Sequence, residues 1–182
     1  MHRTLLFLAS LLVGVSVASA QAGPTASRLL DLQAGGGFTV ANSDYLVNKI
    51  RGFMFYSTLD LTEHWGAELE FHQLNDGQPT QVYERSYEVG GRYVRHYGRL
   101  HPYGKLLYGR GVFNFPQSAG NLAYNMFVGG AGVDVNITRR INARADFEYQ
   151  KWMSGPGLSS GLSPTLFSVG VAYHFPAGTP RH

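Results

Sequence analysis

The chain of 182 residues contains no cysteine, which excludes a disulfide framework and a lipid-modified N-terminal cysteine. Charge is scarce. Asp, Glu, Lys and Arg make up 15% of the residues, against a usual share of about 25%. The formal net charge of +3 falls by one if Arg3 is removed, too small a surplus to argue for nucleic acid or a strongly acidic partner. Beyond the N-terminus no stretch offers the ~20 consecutive apolar residues of a membrane-spanning helix. That absence leaves the membrane open as a location, because a barrel strand needs only ~10 residues, half of them apolar. What the chain has in plenty is glycine, 23 residues, and aromatic side chains, 13%.

Residues 1–20 read as a secretory signal peptide. His2 and Arg3 form a basic start, residues 5–17 an apolar run, and Ala18, Ser19 and Ala20 a small-residue cleavage site before Gln21. An uncleaved anchor is the alternative, but the run is short for a spanning helix. Residues 21–27 form a leader, 28–175 one domain, and 176–182 a tail.

The clearest local signal is INARADFEYQKW at 141–152. Ile141, Ala143, Ala145, Phe147 and Tyr149 fall on one parity, and Asn142, Arg144, Asp146, Glu148 and Gln150 on the other. A period of two denotes an extended strand. Three charges backing an aromatic and alanine face suit a wall between lipid and a polar lumen. The same reading predicts strands over 29–38, 50–61, 65–73, 81–95, 102–113, 124–135, 141–152 and 165–175. In the first, Leu30, Leu32, Ala34 and Phe38 face out and Asp31 and Gln33 in, with 39–48 a polar loop. In the last, Phe167, Val169, Val171, Tyr173 and Phe175 oppose Ser168, Gly170, Ala172 and His174.

A weak repeat aligns WGAELEFH at 65–72 with INARADFE at 141–148, as expected of an up-and-down barrel built from hairpins. The turns near 63, 98 and 138 are tight, while those near 43, 77, 118 and 158 are longer. Outer-membrane barrels show this asymmetry, with short periplasmic turns and longer external loops. The expected fold is therefore all-β, an eight-stranded antiparallel up-and-down transmembrane barrel with both termini periplasmic.

An eight-stranded barrel is only wide enough to be filled by its side chains, and charges buried there must be paired. Counting up from the periplasmic turns places Glu68, Arg92, Lys105 and Arg144 at one depth, and Glu70, Glu88, Asp146 and Glu148 higher. A lumen ion-pair network over these eight residues is expected, with Glu68 among the three cations. It is either a structural plug or a gated path for protons or small ions. Trp65, Tyr93, Tyr97, Trp152 and Tyr173 fall near strand ends, where aromatic girdles meet the membrane interfaces; ordinary packing is the alternative.

Two other functional classes compete with this reading. A lipid-modifying enzyme needs Ser, His and acid groups at the outer rim, but His72 and Glu88 face inward there and no His-x-Ser pair lies on a lipid-facing strand. A secreted lipocalin-like carrier has the same period of two with its faces inverted. Glycines at 90, 130, 132 and 170 on the charged face suit a crowded lumen better than a watery surface. No catalytic residue, cofactor or metal is expected. His96 and His101 flank a turn and could chelate weakly, but spacing supplies no third ligand. Asn136, Ile137 and Thr138 match a glycosylation sequon, which means little on a periplasmic turn.

Several stretches carry a resemblance. These are Pro102 and Tyr103 with the glycines that follow, Gly130-x-Gly132-x-Asp134, Arg144-x-Asp146-x-Glu148-x-Gln150, and the alternating end 168–175. Through them the chain resembles the OmpA-like family of small outer-membrane barrels over nearly all of its mature length. The resemblance implies insertion by the barrel-assembly machinery, with Phe175 as the terminal aromatic insertion signal, and contact with outer-membrane lipid and lipopolysaccharide. It implies a structural or surface-interaction role and no nucleic-acid partner. The chain departs from the pattern in the seven residues after Phe175, and no peptidoglycan-binding domain is expected there.

Overall fold

Alternation of apolar and polar residues drives the chain into strands that bury one face each, and neighbouring strands then pair edge to edge until no edge is left. The computed structural model describes residues 31–44, 49–76, 83–114, 121–155 and 161–175. It has eight strands: β1 (Asp31–Asn42), β2 (Ile50–Asp60), β3 (Trp65–Asn75), β4 (Tyr83–Val94), β5 (Leu100–Asn114), β6 (Asn121–Asn136), β7 (Ile141–Trp152) and β8 (Thr165–Phe175). Each pairs antiparallel with its sequence neighbour, and β1 pairs with β8 from Leu32 opposite Phe175 to Asn42 opposite Thr165, so the barrel is closed. The expected fold is the observed one.

β7 and β8 have the expected bounds. β1 runs four residues past its expected end, to Asn42. Thr39 and Ala41 continue its inward face, and they pair with Ser168 and Leu166 of β8. This pairing holds residues 39–42, expected within a polar loop, in the sheet. β5 and β6 are longer than expected for a similar reason, since their terminal Asn114 and Asn121 pair with each other. The expected start of β1 at 29, with Leu30, lies outside the described residues, as do most of the longer loops and both terminal segments.

The three short turns share one end of the barrel. Two are built alike. Thr62 Oγ1 accepts from the Trp65 N–H at 3.0 Å, and Thr138 Oγ1 accepts from the Ile141 N–H at 3.0 Å. These are the turns that precede the repeated 65–72 and 141–148 segments. In the third turn, Gly98 takes a φ of 63°, the left-handed value a tight hairpin needs.

The faces are opposite in character. Phe55, Leu106 and Val171 point outward, at 58%, 76% and 59% exposed, while Glu68, Glu148 and Thr58 point inward at 0%. Phe53, Phe71 and Phe147, which would line the cavity of an inverted soluble carrier, also lie on the outward face. An apolar band of this size around a monomer marks a surface made for lipid.

Candidate functional site in the barrel lumen

The lumen is assembled from alternate residues of all eight strands, and glycines make room for the largest of them. A Cβ on Gly130 would stand 2.7 Å from Cε of Lys105, and one on Gly132 would stand 2.5 Å from the Tyr103 hydroxyl. The small residue on β6 and the long one on β5 thus fill the same space.

Arg144 is the centre of the charged layer. Its Nε donates to Asp134 Oδ1 at 2.7 Å and its Nη2 to Asp134 Oδ2 at 3.0 Å. Its Nη1 donates to Glu68 Oε1 at 2.6 Å. The guanidinium also lies 3.8 Å from the Tyr56 ring centroid and 4.8 Å from that of Tyr103, so both aromatic faces meet the cation. Arg92 donates to Asp134 Oδ2 at 3.0 Å and to Asp60 Oδ1 at 3.3 Å. Lys105 Nζ lies 2.7 Å from Glu70 Oε2, 2.7 Å from Glu148 Oε1 and 2.8 Å from Asp146 Oδ2. The Tyr103 hydroxyl donates to Asp146.

Glu68 sits among all three cations, 2.6 Å from Arg144 and 3.8 Å from each of Arg92 and Lys105. Lys105 reaches beyond the depth that residue counting assigns it, because its long stem carries the ammonium up to Glu70, Asp146 and Glu148. Glu88 departs from the expectation. Among the described residues it has no arginine or lysine within 4 Å; it accepts from Ser86 at 2.7 Å and Gln150 at 2.9 Å. Asp60, Asp134, Tyr56 and Tyr103 join the eight expected residues in this network. Their signal was present in the parity of β2, β5 and β6.

Toward the long-loop end the polar layer gives way to an apolar one. Leu107, Phe113, Tyr124, Met126, Val128, Trp152 and Leu162 pack together on the β5–β7 side, and Ala41, Ile50, Leu74 and Leu166 on the opposite side. Trp152 corrects a sequence expectation. It is 1% exposed and its Nε1 donates to Gln150 Oε1 at 2.9 Å, so it belongs to no girdle. The cause is parity, since position 152 shares the inward face with 148 and 150. The other four aromatics are outward at the short-turn end. Trp65 and Tyr93 pack edge to face at 5.0 Å, Tyr97 is exposed, and Tyr173 packs on Phe175 at 5.0 Å. Phe175 itself faces outward at the end of β8.

At the short-turn end the lumen opens into a cavity of about 490 Å³ lined by Asp31, Asp60, Arg92, Asp134, His101 and His174 among others. His96 and His101 contact there through their Nδ1 atoms at 2.6 Å, while His101 Nε2 meets Asn136 and His96 Nε2 meets the Glu63 carbonyl oxygen. Deeper in the lumen, Glu70, His72, Glu88 and Glu148 each offer a ligand atom, and these atoms all lie within 4.8 Å of one another. This group could hold a cation. The sequence pattern points to no metal, with His96 and His101 as weak chelators at most. The signal at the deeper group was Glu70-x-His72, two inward positions in succession. A hydroxyl, imidazole and carboxylate also align, with Thr39 Oγ1 3.5 Å from His72 Nδ1 and His72 Nε2 3.5 Å from Glu148 Oε2. All three side chains are buried.

Similar structures share the architecture. Neisserial surface protein A aligns with a TM-score of 0.67 at 12% identity, covering 80% of this chain and 97% of that one. OprG from Pseudomonas aeruginosa aligns at 0.59 and 16% identity, covering 82% and 97%. Ail, the attachment invasion locus protein of Yersinia pestis, aligns at 0.56 and 19% identity, covering 81% and 99%. No curated protein sequence matches the chain. A family model described as the outer membrane protein beta-barrel domain matches residues 6–175. The chain therefore belongs to the outer membrane protein beta-barrel family, and its place is the outer membrane of a Gram-negative bacterium.

Proposed function

We propose that this protein is a non-conducting, non-enzymatic scaffold that holds four loops at the cell surface. The observation that carries this reading is the filled lumen. A salt-bridged layer centred on Arg144 fills the bore, and two buried apolar clusters, one around Trp152 and one around Leu166, line opposite sides of it. In this reading Glu68, Glu70, Arg92, Lys105, Arg144, Asp146 and Glu148 form the plug, with Glu88 joined to it by hydrogen bonds. Residues 1–20 direct secretion and are removed. Phe175 is the signal read by the barrel-assembly machinery, and Trp65, Tyr93, Tyr97 and Tyr173 anchor the short-turn end at the lipid headgroups, where lipopolysaccharide and phospholipid surround the barrel. The scaffold role is supported by the fold shared with Ail, whose name ties that protein to attachment.

Planar-bilayer recording tests the reading. Purified protein and Arg144→Ala are both expected to be electrically silent. Resolved conductance steps in the wild type that change in Arg144→Ala would assign a gated ion path in place of a plug.

A further inference from the structure

We propose that the group Glu70, His72, Glu88 and Glu148 is a binding site for one divalent transition cation, inside the barrel and independent of what the loops do. Four strand positions create it. Glu70 and His72 are successive inward residues of β3, Glu88 faces Glu70 across the β3–β4 pair, and Glu148 comes from β7.

The carboxylate atoms nearest His72 Nε2 are Glu148 Oε2, Glu70 Oε2 and Glu88 Oε1, and the last two also accept hydrogen bonds from neighbouring side chains. Glu70 gives Oε2 to Lys105 at 2.7 Å, and its Oε1, 3.6 Å from Arg144, has no hydrogen-bond partner. Glu88 gives Oε1 to Ser86 and Gln150, and its Oε2 has no partner. Glu148 gives Oε1 to Lys105 and turns Oε2 toward His72, with a long contact of 3.4 Å to Gln150. His72 Nδ1 meets the Thr39 hydroxyl, itself held by Ser168 at 2.8 Å. His72 Nε2 has no hydrogen-bond partner although the residue is 1% exposed. It points among three carboxylates at 3.5, 3.9 and 4.0 Å, too far for a good hydrogen bond to any of them.

Those separations suit ligands around a shared ion. In a tetrahedral zinc site with bonds of ~2.0–2.1 Å the ligand atoms stand roughly 3.3 Å apart, and long glutamate side chains can close the difference. Charge points the same way. Glu70 and Glu148 share Lys105, Glu70 also lies 3.6 Å from Arg144, and Glu88 has neither cation within reach, so the group carries buried negative charge that a dication or protons would offset. One imidazole with carboxylates is a donor set that zinc and its neighbours accept. The Thr39 hydroxyl, 3.5 Å from Nδ1, stands on the side where a metal-bound histidine takes its orienting partner.

The test uses the full mature chain refolded into detergent with equimolar Zn²⁺ and then desalted. Folding is checked by the heat-dependent gel shift. About one zinc per chain is expected, retained in a His96→Ala, His101→Ala double variant and lost in His72→Gln and in Glu88→Gln. Thr39→Val should weaken binding by about ten- to a hundredfold. Because a ligand variant can fail to fold, Co²⁺ is tried with the wild type, and a visible d–d band from a nitrogen and oxygen ligand set is expected. The proposal is overturned if folded wild type retains no metal and gives no Co²⁺ band. It is equally overturned if folded His72→Gln and Glu88→Gln retain as much zinc as wild type, or if the zinc leaves with His96 and His101.

Discussion

Arg144→Met removes the guanidinium while keeping most of the side-chain volume, and so isolates the charge at the centre of the lumen. Wild-type Arg144 makes two hydrogen bonds to Asp134 and one to Glu68. After the substitution Asp134 keeps Arg92 at 3.0 Å, but the nearest cations to Glu68 are at 3.8 Å. Glu68 is 0% exposed, so no water replaces the lost donor. Removing one partner of a buried pair costs about 3–5 kcal/mol, which is roughly two to three and a half decades in the folding equilibrium constant. Urea titration in detergent micelles, followed by tryptophan fluorescence, measures it. Adding Glu68→Gln should restore part of the loss, with a coupling of about 1–3 kcal/mol between the two sites. A loss below about 1 kcal/mol for Arg144→Met, or strict additivity with Glu68→Gln, would refute the view that this pair is desolvated and mutually dependent.

Other substitutions report on other surfaces. Leu106→Arg places a cation on the outward face at mid-barrel and should cost about 2–4 kcal/mol in a bilayer; no loss there would mean that Leu106 does not meet lipid. Gly132→Ala should push Tyr103 off Asp146 and cost about 1–3 kcal/mol by overpacking. Gly91→Ala, whose Cβ would meet nothing closer than 3.9 Å, should be near neutral in the same urea titration. In single-tryptophan proteins, brominated lipid should quench Trp65 and leave Trp152 unquenched, and equal quenching would contradict the lumenal placement of Trp152.

Parity made most of the fold readable. Eleven or more residues per strand repeat the same inward and outward choice, so the faces of β3, β7 and β8 follow directly from sequence. Strand ends were harder. At Thr39, Ala41, Asn114 and Asn121 small or polar residues look like loop, and only the pairing partner decides. Trp152 was misplaced because a tryptophan near a strand end has an interfacial preference that parity overrode. Within the lumen, sequence identified inward charges but could not choose partners. Strand tilt and the length of lysine bring Lys105 to Glu148 and leave Glu88 without a basic side chain. The contacts of Tyr56 and Tyr103 with Arg144 depend on depth around the whole ring, which no single strand encodes.

Closure of β1 on β8 has a consequence for how the protein reaches its place. Three of its lumenal ion pairs join residues 35, 43 and 76 positions apart, on β3, β5 and β7. An open sheet lying in hydrocarbon would present carboxylates and guanidinium groups to acyl chains on one side and bare amides along two margins. Neither is tolerable there. The sheet therefore has to curl and seal as it enters, so insertion and charge neutralisation are one cooperative step. Once sealed, the same chemistry acts as a latch, because prising the seam apart means exposing the whole acidic interior to oil.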